Sequence, residues 1–169
     1  RDFCLSRGLG DVYKRQPLAD PVDDAVNSSA SFMPGGTVAF VGGQKQVRFV
    51  SVHTTSPWQG DWRQWKRSLD ELGLKRADEG TRYVFMGDFN ATMDHASMRE
   101  FLGTRFHDAA YGSGHGFAFT APANLFAVPT LTAADHVVVD SDMTAGQVQA
   151  KRVSGSDHAA LLATIDVGR

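Results

Sequence analysis

The chain has 169 residues, 42% of them hydrophobic, and a formal net charge of −2, which is enough apolar material for the core of one domain and not the basic excess with which proteins grip many nucleic-acid phosphates. No stretch reaches the roughly eighteen consecutive apolar residues of a membrane helix, and the start lacks a charged-then-apolar secretory pattern, so the segment reads as soluble, its compartment left open to any upstream signal or anchor. The single cysteine, Cys4, excludes an intrachain disulfide and a cysteine-built zinc site, so a metal would have to sit on oxygen or imidazole donors.

Residues 1–16 share no period with the rest of the chain, and Asp11-Val12-Tyr13-Lys14-Arg15-Gln16 resembles a translated sequencing adapter. They are set aside as non-native, leaving 17–169 as the domain portion. From Pro17 to Gly36 the Pro, Asp, Ser and Gly content predicts a loop. Thr37 to Val41 and Val47 to His53 are β-branched and aromatic runs around Gly42-Gly43-Gln44-Lys45-Gln46, the pattern of a hairpin. Trp58, Trp62, Trp65, Leu69 and Leu72 then recur at spacings of four, three, four and three, one face of a helix that stops near Gly73. The tryptophans lie beside Arg63, Lys66 and Arg67, but their spacing favours core packing over base stacking.

Arg82 to Met86 predicts a short buried strand that closes on Gly87-Asp88-Phe89-Asn90. A helix comes next, with Met98, Phe101 and Leu102 on one face, and Asp94 or Thr92 available as its cap. Tyr111 to Gly116 is a glycine-rich turn without the Lys-Ser/Thr pair of a phosphate loop. Phe117 to Thr120, Asp135 to Val139, Gln147 to Val153 and Ala159 to Val167 read as strands, the last two joined through Ser154-Gly155-Ser156-Asp157-His158. Strand, strand, helix, strand, helix, then mainly strands favours an α/β or α+β sandwich with helices outside sheets.

Four times an apolar strand ends in groups able to bind a metal or move a proton: His53, Asp88 with Asn90, Asp135 with His136, and Asp157 with His158. One Asp or His after a strand is usually a turn former. Four can converge, because strand ends meet at one sheet edge. His136 alternates to the face opposite Asp135, which makes it a packed or exposed residue rather than a catalytic one. His95, His107 and His115 read as solvated, and Asp94, Asp108, Asp140 and Asp142 as caps and turns.

Val84-Phe85-Met86-Gly87-Asp88-Phe89-Asn90-Ala91 resembles the strand-plus-GDFNA signature of the endonuclease/exonuclease/phosphatase superfamily, whose fold is that of deoxyribonuclease I. Val50-Ser51-Val52-His53-Thr54 is similar to its earlier histidine strand, Asp135-His136-Val137-Val138-Val139 to its IDH-type strand and Ser156-Asp157-His158 to its closing SDH, all in the family's order. His53-Thr54-Thr55-Ser56-Pro57 and Gly87 to Thr92 look most like its bacterial YafD-like branch. The resemblance implies the C-terminal part of a four-layer α/β/β/α sandwich and a Mg²⁺- or Mn²⁺-dependent phosphodiesterase or phosphatase. It also implies roles: Asp88 orients or deprotonates the attacking water, Asn90 holds the phosphate, His158 faces the phosphate with Asp135 fixing its tautomer, and His53 contacts phosphate or assists the leaving group. Asp157, with Asp88, contributes to the metal site.

The family's principal metal glutamate belongs to strands before all of these, whereas the glutamates here are Glu71, Glu79 and Glu100, all after His53. Gln16-Pro17-Leu18-Ala19-Asp20 resembles the point where relatives resume after that glutamate, so the resemblance implies truncation just downstream of it. Ala134 stands for a larger aliphatic and Ala121 for a tryptophan of many relatives. The implied partner is a phosphoester substrate, whether nucleic acid, phospholipid or small phosphate ester, with no stable protein partner. The competing reading is a non-catalytic interaction module with the same fold. A missing first sheet would bare an apolar face, so the chain expressed alone is expected to be poorly soluble and inactive. A monomeric, cooperatively unfolding preparation that hydrolyses an activated phosphodiester with Mg²⁺ would overturn that expectation.

Overall fold

A computed structural model describes residues 18–24, 33–40, 46–57, 60–124 and 129–168. The segment 1–16, the turn after Phe40 and Trp58 lie outside the described residues. The elements run β1 (Ala19–Asp23), β2 (Pro34–Val38), β3 (Gln46–His53), α1 (Trp62–Gly73), a 3₁₀ turn (Leu74–Ala77), β4 (Thr81–Asp88), α2 (Ala96–Leu102), β5 (Phe106–Asp108), α3 (Ala109–Gly112), β6 (Asp135–Asp140), β7 (Thr144–Lys151) and β8 (Ala160–Asp166). Six strands form one sheet in the order β1-β2-β3-β4-β6-β5, and β7 pairs with β8 as a separate hairpin. Among the described residues only β3 and β4 run parallel, joined by the crossover helix α1, and every other strand pair is antiparallel. Among the described residues no helix is long and apolar enough to cross a membrane.

Strand alternation sorts the sheet into two faces. Val50, Val52, Tyr83, Phe85 and Val138 turn towards the helices and bury with Trp65, Leu69, Leu72, Met98, Phe101 and Leu102. Val47, Val84, Val137 and Val139 turn to the other face and pack under the β7–β8 hairpin with Val148, Leu161, Ala163 and Ile165. The chain is thus a mixed α/β structure with a central sheet, α1 and α2 on one side and the β7–β8 hairpin with the short α3 on the other. The second face is less bare than the sequence led one to expect: the hairpin covers its valines, although Met86, nearer the strand ends, stays 39% exposed.

Several local expectations are corrected. The stretch 17–36 carries β1 and the start of β2: β1 lies at the sheet edge and so tolerates Pro21, and Pro34 is the first residue of β2, a position that proline can take. Trp62 is exposed, with the Arg63 guanidinium over its ring, since the buried stripe of α1 runs through Trp65, Ser68, Leu69 and Leu72. Neither Asp94 nor Thr92 caps α2. His95 holds the cap position, and its ring is tied to Thr92 instead. Phe117 to Thr120 forms no strand; only an isolated bridge joins Ala121 to Thr132. Asp140 is more than a turn residue, for it is buried and receives the Arg105 guanidinium in an ion pair at 2.6 Å.

Tyr83 lies in the centre of the helix-side core, stacked on Phe85 at 5.4 Å between ring centroids, and its hydroxyl donates to Asp78 Oδ2 at 2.8 Å. Burial, then that bond and the charges of Asp78 and Asp24, push the phenol well above its ordinary pKa of 10.0. A group whose folded pKa is raised gives stability that is fully present below the unfolded value and is lost as pH rises through the folded one. The unfolded tyrosine ionises first, so the folded state loses free energy relative to it above about pH 10. Urea midpoints between pH 8 and 11 should therefore fall more steeply in the native chain than in Tyr83→Phe, and parallel curves would refute the assignment.

Candidate active site

The site is built from the ends of the strands that form the middle of the sheet. Parallel pairing sets His53 opposite Asp88, and antiparallel pairing sets Asp88 opposite Asp135. Parity then turns all three side chains to the same face as Val47, Val84 and Val137, the face over which the β7–β8 hairpin lies. The loop joining β7 to β8 brings His158 down on them: its Nδ1 is 2.7 Å from Asp135 Oδ2. Asp88, Asp135 and His158 each offer a ligand atom within 4.8 Å of the others.

The chain reverses after β4 through Asn90, which has φ of 47°, a conformation Asn tolerates better than most residues. Its backbone N–H donates to Asp88 Oδ1 at 2.7 Å and its side-chain Nδ2 to the Thr54 carbonyl at 3.0 Å. Phe89 is held from three directions. Its N–H donates to the Ala134 carbonyl, while its own carbonyl accepts from Thr54 Oγ1 at 2.7 Å and from the Trp65 indole at 3.0 Å. Thr120, fully buried, accepts from the Asp135 N–H through Oγ1 and from the Ala159 N–H through its carbonyl, which ties β6 to the loop that carries His158.

The charges in this cluster act on one another. Burial raises the Asp88 carboxyl above its ordinary range. The bond from Asn90 N–H opposes that, the Asp135 charge adds to it, and His158 and His53 pull back without reversing it. Burial works against the His158 imidazolium, but the hydrogen bond and charge of Asp135, helped by Asp88 and Asp157, outweigh it and raise the pKa above the usual histidine value. Asp157 is itself exposed and outside the three-residue cluster, so its contribution is through charge. His136 is buried on the helix face, as its parity requires; Asp108 accepts from the Tyr111 N–H at the start of α3 and also bonds the His136 ring.

Two depressions open here and share Thr92 and Thr132: one of about 190 Å³ lined by Asn90, His95 and His158, and one of about 230 Å³ lined by Asp135, Tyr111, Phe117 and Leu131. The supporting roles of Thr54, Trp65 and Thr120 had no signal in the sequence beyond proximity to the motifs. A threonine that bonds a distant carbonyl has the same local pattern as one that faces solvent.

Residues 9–158 match the family model described as Endonuclease/Exonuclease/phosphatase family. The chain belongs to that family. Its members include nucleases and phosphatases, hydrolases of phosphate esters that in general depend on a divalent cation. Among solved structures, an endonuclease/exonuclease/phosphatase family protein from Leptotrichia buccalis is similar with TM-score 0.67 and 14% identity over 90% of this chain and 63% of that one. A mannosyl-6-phosphatase from Bacteroides thetaiotaomicron gives 0.62 and 14% over 80% and 57%. TDP2 of D. rerio, complexed with single-strand DNA product, gives 0.57 and 16% over 80% and 61%. At such identities the likeness is one of fold. The chain thus spans 57% to 63% of the length of these three structures. No curated protein matches the sequence.

Gly87 decides whether the strand ends meet. Its φ is 138°, and a Cβ there would run far inside contact distance of the Val52 carbonyl oxygen on β3. Gly87→Ala should cost at least about 3 kcal/mol, from backbone strain and steric overlap together. Urea unfolding would show it, and a loss below about 1 kcal/mol, within the ordinary range for a single substitution, would mean that β3 and β4 part without cost.

Proposed function

We propose that the full-length protein is a Mg²⁺- or Mn²⁺-dependent phosphodiesterase or phosphatase, with this chain contributing the phosphate-handling part of its site. One observation carries the reading: an imidazole locked on one carboxylate, Asp135, lies within ligand distance of a second, Asp88, that is half-buried and held by its neighbour's N–H. Net hydrolysis breaks one P–O bond and forms another to a water oxygen. Asp88, its affinity for a proton raised by burial, orients the water and accepts a proton from it. His158, whose imidazolium form Asp135 favours, faces the phosphate and offsets the charge that develops there. Asn90 holds a non-bridging oxygen, and His53, exposed at the end of β3, contacts phosphate or protonates the leaving oxygen.

The donor set fits a hard cation. Asp88 has one carboxylate oxygen bonded to Asn90 N–H and Asp135 has one bonded to His158, which leaves an oxygen on each, with Asp157 close enough to act on His158. When bound, the cation polarises the phosphoester. Asp88 would hold it, and Asp157 would add negative charge beside it. Glu71 and Glu100 lie on α1 and α2 and Glu79 after the 3₁₀ turn, so none takes the place of the family's glutamate ligand. Together with the share of relatives' length that the chain spans, this supports reading it as a portion that is inactive by itself. The loops after His53 and around Gly87 to Thr92 support the YafD-like branch.

In the full-length protein, bis(4-nitrophenyl) phosphate hydrolysis should require Mg²⁺ or Mn²⁺ and stop with a chelator. Asp88→Asn and His158→Gln should each lower kcat/KM by about 100-fold or more. Metal-independent turnover, or near-wild-type rates in both variants, would rule the reading out. A panel of DNA, RNA, a phospholipid and sugar phosphates then selects the substrate.

A further inference from the structure

His136 takes no part in the chemistry above, yet both of its ring nitrogens are engaged. It is 3% exposed. Nδ1 lies 2.8 Å from Asp108 Oδ2 and Nε2 lies 2.8 Å from the Ala91 carbonyl oxygen. A carboxylate and a carbonyl are both acceptors, so the ring donates from both nitrogens. Asp108 is itself fixed, because its other oxygen accepts from Tyr111 N–H. The ring also stands edge-on to Phe89 with centroids 5.6 Å apart.

Ala91 follows Asn90, whose left-handed backbone is unfavourable for a residue with a Cβ and persists where its surroundings impose it. The near end of this reversal is held by Thr54, Ala134 and Trp65, which bond the backbone of Asp88 and Phe89. The far end is held at the Ala91 carbonyl by His136. Between those two points Asn90 makes its contacts to Asp88 and Thr54.

We infer that His136, braced by Asp108, is a positioning residue for the active site: it pins the Ala91 carbonyl and thereby keeps Asn90 turned onto Asp88. The inference rests on the reading of Asn90 and Asp88 as phosphate-handling groups. A partner that orients a catalytic group without touching substrate acts on turnover more than on binding.

The test uses the full-length protein and compares His136→Gln, Asp108→Ala and Asp108→Asn with Leu69→Ala, a core change on the helix side that leaves the reversal alone. His136→Gln and Asp108→Ala should lower kcat per folded molecule by about 10- to 100-fold, with KM changed by no more than about two-fold, and should shift or broaden the Asn90 side-chain amide resonances. Asp108→Asn should keep most of kcat, because its amide can donate to Nδ1 and leave Nε2–H on the Ala91 carbonyl. Leu69→Ala should lose stability and keep kcat. The inference is overturned if His136→Gln keeps wild-type kcat, if the Asn90 amide does not respond to it, or if Leu69→Ala loses as much turnover. Should Asp88→Asn retain full activity, the functional reading fails, and the Asn90 amide still decides whether His136 positions that residue.

Discussion

Everything at the site depends on the close approach of two parallel strands at their C-terminal ends. β3 and β4 stay in register through Val52 opposite Gly87 and His53 opposite Asp88, and the missing Cβ at Gly87 lets the Val52 carbonyl come so near. With β6 antiparallel on the far side of β4, Asp135 falls opposite Asp88. A side chain at position 87 would part the strands, and with them the histidine and the two carboxylates. The glycine of the Gly-Asp-Phe-Asn run is therefore a packing requirement.

The pleat then divides labour between the two faces. His53, Asp88 and Asp135 point to the hairpin side, where the β7–β8 loop adds His158, and two depressions open at the strand ends beside Asp135 and His158. Phe89 and His136 point to the helix side and are buried there. The helix side thus reaches the site indirectly: the Trp65 indole on α1 holds the Phe89 carbonyl, and Asp108 at the end of β5 bonds the His136 ring. Backbone carbonyls of the reversal after β4 are the meeting point of both faces. A buried carbonyl needs a donor, and each of these donors comes from a different element.

The same alternation explains which residues could be read early and which could not. The buried stripe of α2 and the alternation of β3 and β8 were legible because burying one face imposes periods of 3.6 and two, and β4 and β6, buried on both faces, were legible as short apolar runs. β1, with all of its residues exposed, and β5, three residues long, have no such period. They exist because a neighbour offers unpaired N–H and C=O groups. Trp62 stays exposed at the start of α1, off the buried stripe, whereas Trp65 finds the Phe89 carbonyl.

The sequence by itself determined the identity and order of the strand-end groups, since their residue types and the motifs around them are local. Tertiary structure decided which of them touch: His158 is 23 residues from Asp135 in the chain, and only the hairpin's packing on Val84, Val137 and Val139 makes them a pair. It also decided that Asp157 stays exposed beside the cluster, and that His136, parted from Asp108 by 28 residues, lies buried with both nitrogens committed. Parity in a strand says which way a side chain points. What it meets there is fixed by the layer packed on that face, and no local pattern encodes that layer.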